Sequence, residues 1–428
     1  MRYLVARGFR ELLSHKKEVG NTVTLFSSQI LVLIIGLGIK SIQVRVLTPE
    51  DYGLFALFGT ITSFIVLFFH YASFSSLKVL LVNNEDNQRE KEFFGIGIII
   101  AIILGFLFSF CLIVASYFVD NLLNVEIGEI IKLLAPFCII LPFQFLISEI
   151  TIGAGKLKGL AFFHLFSKIL FVISLFVLWK SDLFNLNVKA IIFINLLSWF
   201  IATVFVLLGL NPSFKNLKKN YKLVTTKNKS FGFSYYFGAI VNQSTYKLDE
   251  LFISYFVNIT QLGYYTLASI ICSPMTFLSR AFVNSILKKL ALKDRIPIRV
   301  FVYNTFWLCI CVLFLYLFSD IIVSTLFGNS YMEISKYILP LSLAFFFQGM
   351  YAPFSFLTIK SKGKQLRNVA YAEAMVNVIG NLLLVPDWFV FGYEVGGYGV
   401  LGAISASILS RFTHFVGLWY YYNKMMRS

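Results

Sequence analysis

The sequence has few charged residues for its length. Only 14% of its 428 residues are charged, and 58% are apolar, whereas a soluble domain carries about 25% charged residues. A helix that crosses a bilayer needs roughly 20 apolar residues, so twelve such helices take about 240 residues, which is nearly the whole apolar content. The composition therefore leaves no room for a large soluble domain.

Cysteine and histidine are also scarce, at five and four residues. The cysteines lie in apolar runs, without a C-x-x-C pair or a histidine at metal-ligand spacing, so we expect buried thiols and neither disulfides nor a zinc site. They are Cys111, Cys138, Cys272, Cys309 and Cys311. The sequence also lacks a D-x-D motif, a G-x-x-x-x-G-K-[ST] phosphate loop and a long loop outside the membrane. We therefore expect no metal, no cofactor and no enzyme activity.

Apolar runs between polar breaks predict an all-α polytopic membrane protein with twelve transmembrane helices. The spans are 22–45, 53–80, 94–118, 131–152, 161–179, 189–209, 233–257, 263–287, 299–325, 335–358, 368–390 and 398–421. Lysine and arginine are retained on the cytoplasmic side of a membrane. With the N-terminus inside, the cytoplasmic segments hold 26 of the 37 basic residues and the opposite loops hold four. We therefore predict that both termini are cytoplasmic.

The two halves of the sequence repeat each other. Gly53 corresponds to Gly263, Pro136 to Pro340, and the pair Gly155-Lys156 to Gly363-Lys364, at offsets between 204 and 210 residues. Because each half contains an even number of spans, the repeats are parallel, related by an axis along the membrane normal. The predicted organisation is a cytoplasmic amphipathic segment (1–21), a six-helix lobe (22–210), a basic linker (211–231), a second six-helix lobe (232–423) and a tail (424–428).

The basic linker has a membrane explanation. Its six lysines lie beside the bilayer on the predicted cytoplasmic side, where basic segments contact anionic lipids. We therefore interpret the linker as a signal of topology and expect no nucleic acid partner.

Seven bases and four acids remain within the predicted spans, and each costs at least about 2.5 kcal/mol near a helix centre unless it meets water or a partner. We expect the deeper bases to line a cavity and bind an anion such as a phosphate or diphosphate; these are Lys40, Lys247, Arg280 and Arg411. Three acids are candidates for ion pairing or ion coupling: Asp249, Glu250 and Glu373. Further candidates are Arg45, Lys78, Lys168 and His70, although Arg45, Lys78 and the fourth acid, Glu149, lie near span ends and equally fit snorkelling. We predict that Lys40 or Lys247 pairs with Glu250 or Asp249 when one side of the cavity closes.

Three segments resemble a known group of proteins. RVLTPEDYGLFAL (Arg45 to Leu57) resembles the helix 1–2 signature of the bacterial polysaccharide repeat-unit flippases, which export O-antigen and capsule units and belong to the multidrug/oligosaccharidyl-lipid/polysaccharide exporter superfamily. DELFISYFVNITQLGYYTLA (Asp249 to Ala268) is similar to the family's helix 7–8 region, and GGYGVLGAISAS (Gly396 to Ser407) to its start of helix 12.

This resemblance implies two MATE-like lobes that move undecaprenyl-diphosphate-linked oligosaccharide repeat units across the bacterial inner membrane by alternating access through a basic central cavity. It also implies a monomeric transport unit, an H+ or Na+ counter-ion, and a polysaccharide polymerase and chain-length regulator as partners. The alternative is a cation-coupled multidrug or small-molecule antiporter of the same fold. Such antiporters use carboxylates in the first lobe, where this sequence offers only Glu149.

Overall fold

The computed structural model describes residues 31, 33–69, 71–181, 187–229, 240, 247–285, 293–359, 363–390 and 393–427, and most of them are helical. The helices are α1 (33–46), α2 (Pro49–Phe69), α3 (Tyr71–Val82), α4 (Asn87–Ser116), α5 (Val119–Leu123), α6 (Gly128–Leu134), α7 (Leu141–Gly153), α8 (Leu157–Ser181), α9 (Val188–Leu210), α10 (Leu217–Lys227), α11 (247–256), α12 (Ile259–Cys272), α13 (Pro274–Ser285), α14 (Ile298–Phe327), α15 (Ser335–Gly349), α16 (Ser355–Ile359), α17 (Gly363–Leu384) and α18 (Gly399–Arg427). Short 3-10 segments cover Ala135–Ile140, Asn329–Ile334 and Ala352–Phe354.

Asparagine and proline set several helix ends. The side chains of Asn187 and Asn258 accept hydrogen bonds from backbone N–H groups three residues later, at 3.0 and 2.8 Å, and so cap α9 and α12. Pro136 lies at the start of the 3-10 segment that separates α6 from α7, and Pro142 lies in the first turn of α7, where the N–H that proline lacks is not needed for α-helical hydrogen bonding. The span predicted at 131–152 is therefore helical throughout but changes helix type near its proline.

The chain is a multi-pass membrane protein. Within the described residues, eight helical stretches are long and apolar enough to cross a bilayer. On α14, large apolar side chains such as Phe306 and Leu317 are 65% and 61% exposed, as expected of a helix that faces lipid. The predicted number of twelve helices and their orientation remain predictions.

A β-hairpin corrects the all-α expectation. Strands β1 (Asp387–Val390) and β2 (Tyr393–Gly396) pair antiparallel, with Asp387 opposite Gly396. The predicted span 368–390 thus runs too far, since α17 ends at Leu384 and Pro386 cannot continue its hydrogen bonding.

The cysteine prediction was partly wrong. Cys138 and Cys272 are buried, but Cys309 is exposed and Cys111 and Cys311 are only partly buried. Apolar runs in a membrane protein supply lipid-facing positions as well as core positions, so an apolar neighbourhood does not by itself indicate burial. The described residues contain no cluster of His, Cys, Asp and Glu suited to a metal ion.

The chain forms two compact units, each made of discontinuous segments. The first comprises Met1–Ile39, Phe69–Cys111 and Leu133–Tyr235; the second comprises Lys40–Phe68, Leu112–Lys132 and Tyr236–Ser428. These units differ from the lobes predicted at 22–210 and 232–423, which remain a prediction, and the segment 1–21 lies outside the described residues. Within the predicted linker 211–231, the structure places α10.

In the first unit, α10 is fastened to the start of α4. Glu92 accepts hydrogen bonds from the side-chain amides of Asn216 and Asn220, at 2.8 and 3.0 Å. The backbone N–H of Ser213 donates to the carbonyl of Lys91 at 2.9 Å. The segment before α10 and its first turn are therefore held against the first unit by three specific bonds.

In the second unit, two repeat-related glycines meet. A Cβ on Gly53 would overlap the carbonyl oxygen of Ile259, and a Cβ on Gly263 would stand 3.3 Å from the Gly53 Cα. The backbones of α2 and α12 therefore cross in direct contact, which only residues without side chains permit. The sequence repeat predicted that Gly53 and Gly263 are equivalent, and the structure shows that they also touch.

Candidate functional site

A row of polar side chains lies between α17 and α18 in the second unit. The two helices approach closely where Gly380 faces Ala406, since a Cβ on Gly380 would stand 2.9 Å from the Ala406 Cβ. Polar residues recur every three or four positions on each helix, a spacing that keeps them on one face. They are Glu373, Asn377 and Asn381 on α17, and Ser407, Arg411 and His414 on α18.

Asp249, on α11, joins this row and is 2% exposed. Its Oδ1 accepts hydrogen bonds from the Nδ2 atoms of Asn377 at 2.9 Å and Asn381 at 2.7 Å. Its Oδ2 accepts from the hydroxyl of Tyr265 at 3.0 Å and from Ser407 Oγ. Four neutral donors therefore satisfy this carboxylate, and among the described residues it forms no ion pair.

The same cluster contains the oxygen atoms that small hard cations prefer. Besides the Asp249 carboxylate, it offers the hydroxyl oxygens of Ser407 and Tyr265. The Oδ1 atom of Asn381 is buried and has no hydrogen-bond partner among the described residues. Because a buried unpaired charge is costly and carboxylate, amide and hydroxyl oxygens suit hard cations, the residues fit a small monovalent cation or a proton.

His414 and Glu373 form a second buried titratable group. His414 Nδ1 lies 2.5 Å from Glu373 Oε2, and the two side chains are 12% and 5% exposed. The Tyr351 ring stacks on the imidazole, with 4.2 Å between centroids and 19° between planes. The Tyr351 hydroxyl donates to the Arg411 carbonyl at 2.9 Å and lies 3.3 Å from Glu373 Oε1.

Arg411 is buried one turn before His414 on α18. Its guanidinium carbon lies 4.6 Å from the centroid of the Phe345 ring, a geometry in which the ring face stabilises a cation. The anion-binding role predicted for Arg411 remains a prediction.

Glu250 points away from its neighbour Asp249 and joins two helices. Both of its carboxylate oxygens lie 3.0 Å from Lys247 Nζ, one turn earlier on α11. Thr60 on α2 donates its hydroxyl hydrogen to Glu250 Oε2. Lys247 and Glu250 thus form an ion pair within α11, and the pairing predicted for closure of the cavity remains a prediction.

Lys40, also in the second unit, packs on aromatic rings. Its Nζ lies 4.5 Å from the Phe55 centroid and 5.3 Å from the Tyr52 centroid. Both rings belong to α2, which carries most of the family-like segment Arg45 to Leu57. The Lys40 ammonium, predicted to line a cavity, is therefore stabilised by the aromatic faces of that helix.

Two further candidates lie in the first unit. Lys78 forms an ion pair with Glu149 at 3.1 Å. Lys168 lies over the Trp199 ring at 5.8 Å from its centroid. Glu149, the one intramembrane acid predicted for the first lobe, is therefore paired with a basic residue.

Among the described residues, Arg45 and Arg280 do not join a cluster. Arg45 is exposed, with Nη2 3.4 Å from the carbonyl oxygen of Thr325. Arg280 is exposed on α13, and His70 lies outside the described residues.

The charged residues in the predicted spans do not indicate most of the Asp249 partners. Asn377, Asn381 and Ser407 are neutral. The sequence pattern also gives no indication that His414 contacts Glu373. One signal was available, because Glu373, Asn377 and Asn381 recur every four residues within an otherwise apolar span. Such a stripe predicts a polar face on a membrane helix.

Comparison with known proteins places this architecture in a family. The model of the family described as "Polysaccharide biosynthesis protein" matches residues 19–275, which is more than half of the chain. The chain belongs to this family. The resemblance predicted from the three segments is confirmed. No curated protein matches the chain.

Solved structures share the fold over nearly the whole chain. "Lipid II flippase MurJ, inward closed conformation" superposes with a TM-score of 0.65 at 17% identity, covering 93% of this chain and 87% of that one. An inward-facing multidrug resistance MATE family transporter of the MOP superfamily gives a TM-score of 0.68 at 13% identity, covering 95% and 99%. At these identities the likeness establishes a MurJ- and MATE-like fold.

Proposed function

We propose that this protein translocates undecaprenyl-diphosphate-linked oligosaccharide repeat units, of O-antigen, capsule or exopolysaccharide, across the bacterial cytoplasmic membrane by alternating access. The observation that carries the proposal is membership of the polysaccharide biosynthesis family in a chain with a MurJ- and MATE-like fold. The barrier that such a transporter lowers is the cost of moving a charged, sugar-bearing head group through hydrocarbon.

The electrostatics of the first unit support this choice over a drug antiporter. A first-lobe antiport mechanism needs a carboxylate that is free to exchange cations, and Glu149 is paired with Lys78 at 3.1 Å. The remaining candidates for contact with the diphosphate are Lys40, Lys247, Arg280 and Arg411. Bases of this kind bind phosphate oxygens through point charges or paired N–H donors.

The Asp249 cluster supports ion coupling in the second unit. Its carboxylate, together with the oxygens of Asn381, Ser407 and Tyr265, would hold the Na+ or H+ counter-ion. A bound cation supplies the positive charge that this buried acid otherwise lacks among the described residues. Binding and release of the ion would thereby change the stability of the packing between α11, α17 and α18.

Deletion of the gene tests the function directly. The flippase proposal predicts that lipid-linked repeat units accumulate on the cytoplasmic leaflet and that surface polysaccharide is lost. The wild-type chain restores export. Normal surface polysaccharide with increased drug sensitivity would contradict the proposal and favour the antiporter.

Transport assays in vesicles test the coupling separately. Uptake of a lipid-linked repeat unit is expected to respond to a sodium or pH gradient in the wild type. Uptake that is independent of both gradients would refute ion coupling while leaving the flippase function standing.

A further inference from the structure

A second titratable group lies in the same polar row as Asp249 but is separate from it. It consists of His414 on α18, Glu373 on α17 and Tyr351, which follows α15. The hydrogen bonds described for Asp249 involve Tyr265, Asn377, Asn381 and Ser407, and the transport proposal gives His414 no role. Glu373 is buried and the other two are partly buried, and the contacts among them define the geometry of the group.

The close contact between His414 and Glu373 requires a proton. Nδ1 and Oε2 lie within hydrogen-bond distance, and a carboxylate can only accept, so we assign a hydrogen to Nδ1, which donates it to the carboxylate. A second proton on Nε2 makes the ring an imidazolium. Tyr351 stacks its ring on the imidazole at 4.2 Å, and an aromatic face favours a cation.

The polar row has one more acidic than basic residue when His414 is neutral. Asp249 and Glu373 are two acids against one base, Arg411, when the His414 ring is neutral. Because a buried net charge is unfavourable, the row is stabilised either by a proton on His414 or by a small cation at Asp249. Among the described residues, the titratable side chain that contacts the pair is Tyr351, from the chain after α15. Arg411, on α18, accepts a hydrogen bond from Tyr351 through its backbone carbonyl, and its guanidinium lies over the Phe345 ring.

We propose that His414 and Glu373, supported by Tyr351, form a proton-binding site, and that a proton there opposes the binding of a small monovalent cation at Asp249. The eight residues from Glu373 to Asn381 span about 12 Å of helix. At that separation, one unit charge changes the affinity of the other site about tenfold in a medium of intermediate dielectric. The second half of the proposal rests on the proposed cation site, and neither half depends on the transported substrate.

Histidine NMR tests the proton site without any cation. The full-length chain has four histidines, so selective carbon-13 labelling in lipid nanodiscs gives few signals, and His414→Gln assigns the one of interest. We expect the His414 signal to change from the neutral to the charged form when the proton is bound. In Glu373→Gln the acceptor carboxylate and its charge are gone, so the His414 signal is expected to differ from that of the wild type at the same pH.

Radioactive sodium binding tests the competition in the same preparation. Wild-type affinity is expected to fall about tenfold from about pH 8 to pH 5.5. His414→Gln keeps the higher affinity at both values. Glu373→Gln binds sodium more weakly at both, since one negative charge is lost. His164→Gln is the matched control, because His164 lies on α8 in the first unit, and it should behave as wild type.

Each outcome decides the proposal. A His414 signal that stays constant over this range, or a His414→Gln protein that retains the wild-type pH dependence of sodium binding, overturns it. If His414→Gln does not fold, Glu373→Gln and Tyr351→Phe replace it, and wild-type behaviour in both variants overturns the proton site. Failure of the wild type to bind sodium at either pH removes the Asp249 site and the competition, while the histidine signal still decides the proton site.

Discussion

At Asp249, four neutral hydrogen bonds compensate a buried carboxylate. A charge taken out of water costs several kcal/mol in a protein interior, even after relaxation, and donors from α12, α17 and α18 offset that cost. The adjacent residue, Glu250, has a different solution, since it pairs with Lys247 and accepts a hydrogen bond from Thr60. The two consecutive acids therefore differ in what compensates their charge: neutral donors for Asp249 and an ion pair for Glu250.

Asp249→Asn is expected to abolish stabilisation by sodium. A ligand present at about 100 times its dissociation constant stabilises the folded state by about 2.7 kcal/mol, so the wild type should melt at higher temperature in sodium chloride than in choline chloride. The variant loses the anionic ligand and should melt at the same temperature in both salts. Thermal unfolding of purified protein in detergent measures this difference.

Glu250→Gln is the control for that experiment, because it removes the neighbouring acid. It should retain the sodium response. A sodium response that persists in Asp249→Asn but disappears in Glu250→Gln would move the cation site to the other acid.

At the scale of helices, small residues decide how closely the elements pack. Gly53 and Gly263 let α2 and α12 cross backbone to backbone, and Gly380 lets α17 approach α18. Without aqueous solvent between membrane helices, association depends on such close packing. The position of the polar row between α17 and α18 is a consequence of this contact.

Gly53→Val is expected to destabilise the second unit strongly. The added side chain collides with the Ile259 carbonyl, which is backbone and cannot rotate away, and overpacking typically costs about 1–3 kcal/mol or more. A lower melting temperature and a smaller monodisperse peak in detergent size-exclusion chromatography measure the effect.

Gly59→Ala, on the same helix, is the matched control. No atom lies within 4 Å of a Cβ at Gly59, and alanine favours a helix interior by roughly 0.5–1 kcal/mol over glycine. Its stability should equal or exceed the wild type. Equal stability of Gly53→Val and Gly59→Ala would contradict the crossing of α2 and α12.

At the scale of the whole molecule, charge distribution predicts orientation. With 26 basic residues in one set of segments and four in the other, the bias favours cytoplasmic termini. The structure shows one exposed residue suited to a test on each predicted side of the membrane. Lys219, on α10, lies in a predicted cytoplasmic segment, and Tyr398, after the hairpin, lies on the opposite predicted side.

Cysteine labelling checks the orientation. In a cysteine-free background, Lys219→Cys should react with a membrane-impermeant maleimide only after cells are lysed, and Tyr398→Cys should react in intact cells. The opposite pattern would invert the topology, and labelling of both in intact cells would show that the predicted spans are wrong.

The sequence by itself determined that the chain lies in a membrane and which family-like segments it carries, because apolar length and charge bias act locally along the chain. It also paired Gly53 with Gly263 by repeat. It did not indicate the hairpin after Leu384, the partial exposure of three cysteines, or the partners of Asp249. Those depend on which helix faces meet.

Only the tertiary structure brought Asn377, Asn381, Ser407 and Tyr265 around one carboxylate, and His414 to Glu373. Neutral donors carry no signal in a count of charges, and residues up to 158 positions apart meet only when α11, α17 and α18 pack. The physical reason is that hydrogen bonds are electrostatically stronger in a buried, low-dielectric site than in water. Neutral donors can therefore stabilise a buried carboxylate, but only where the fold brings them together.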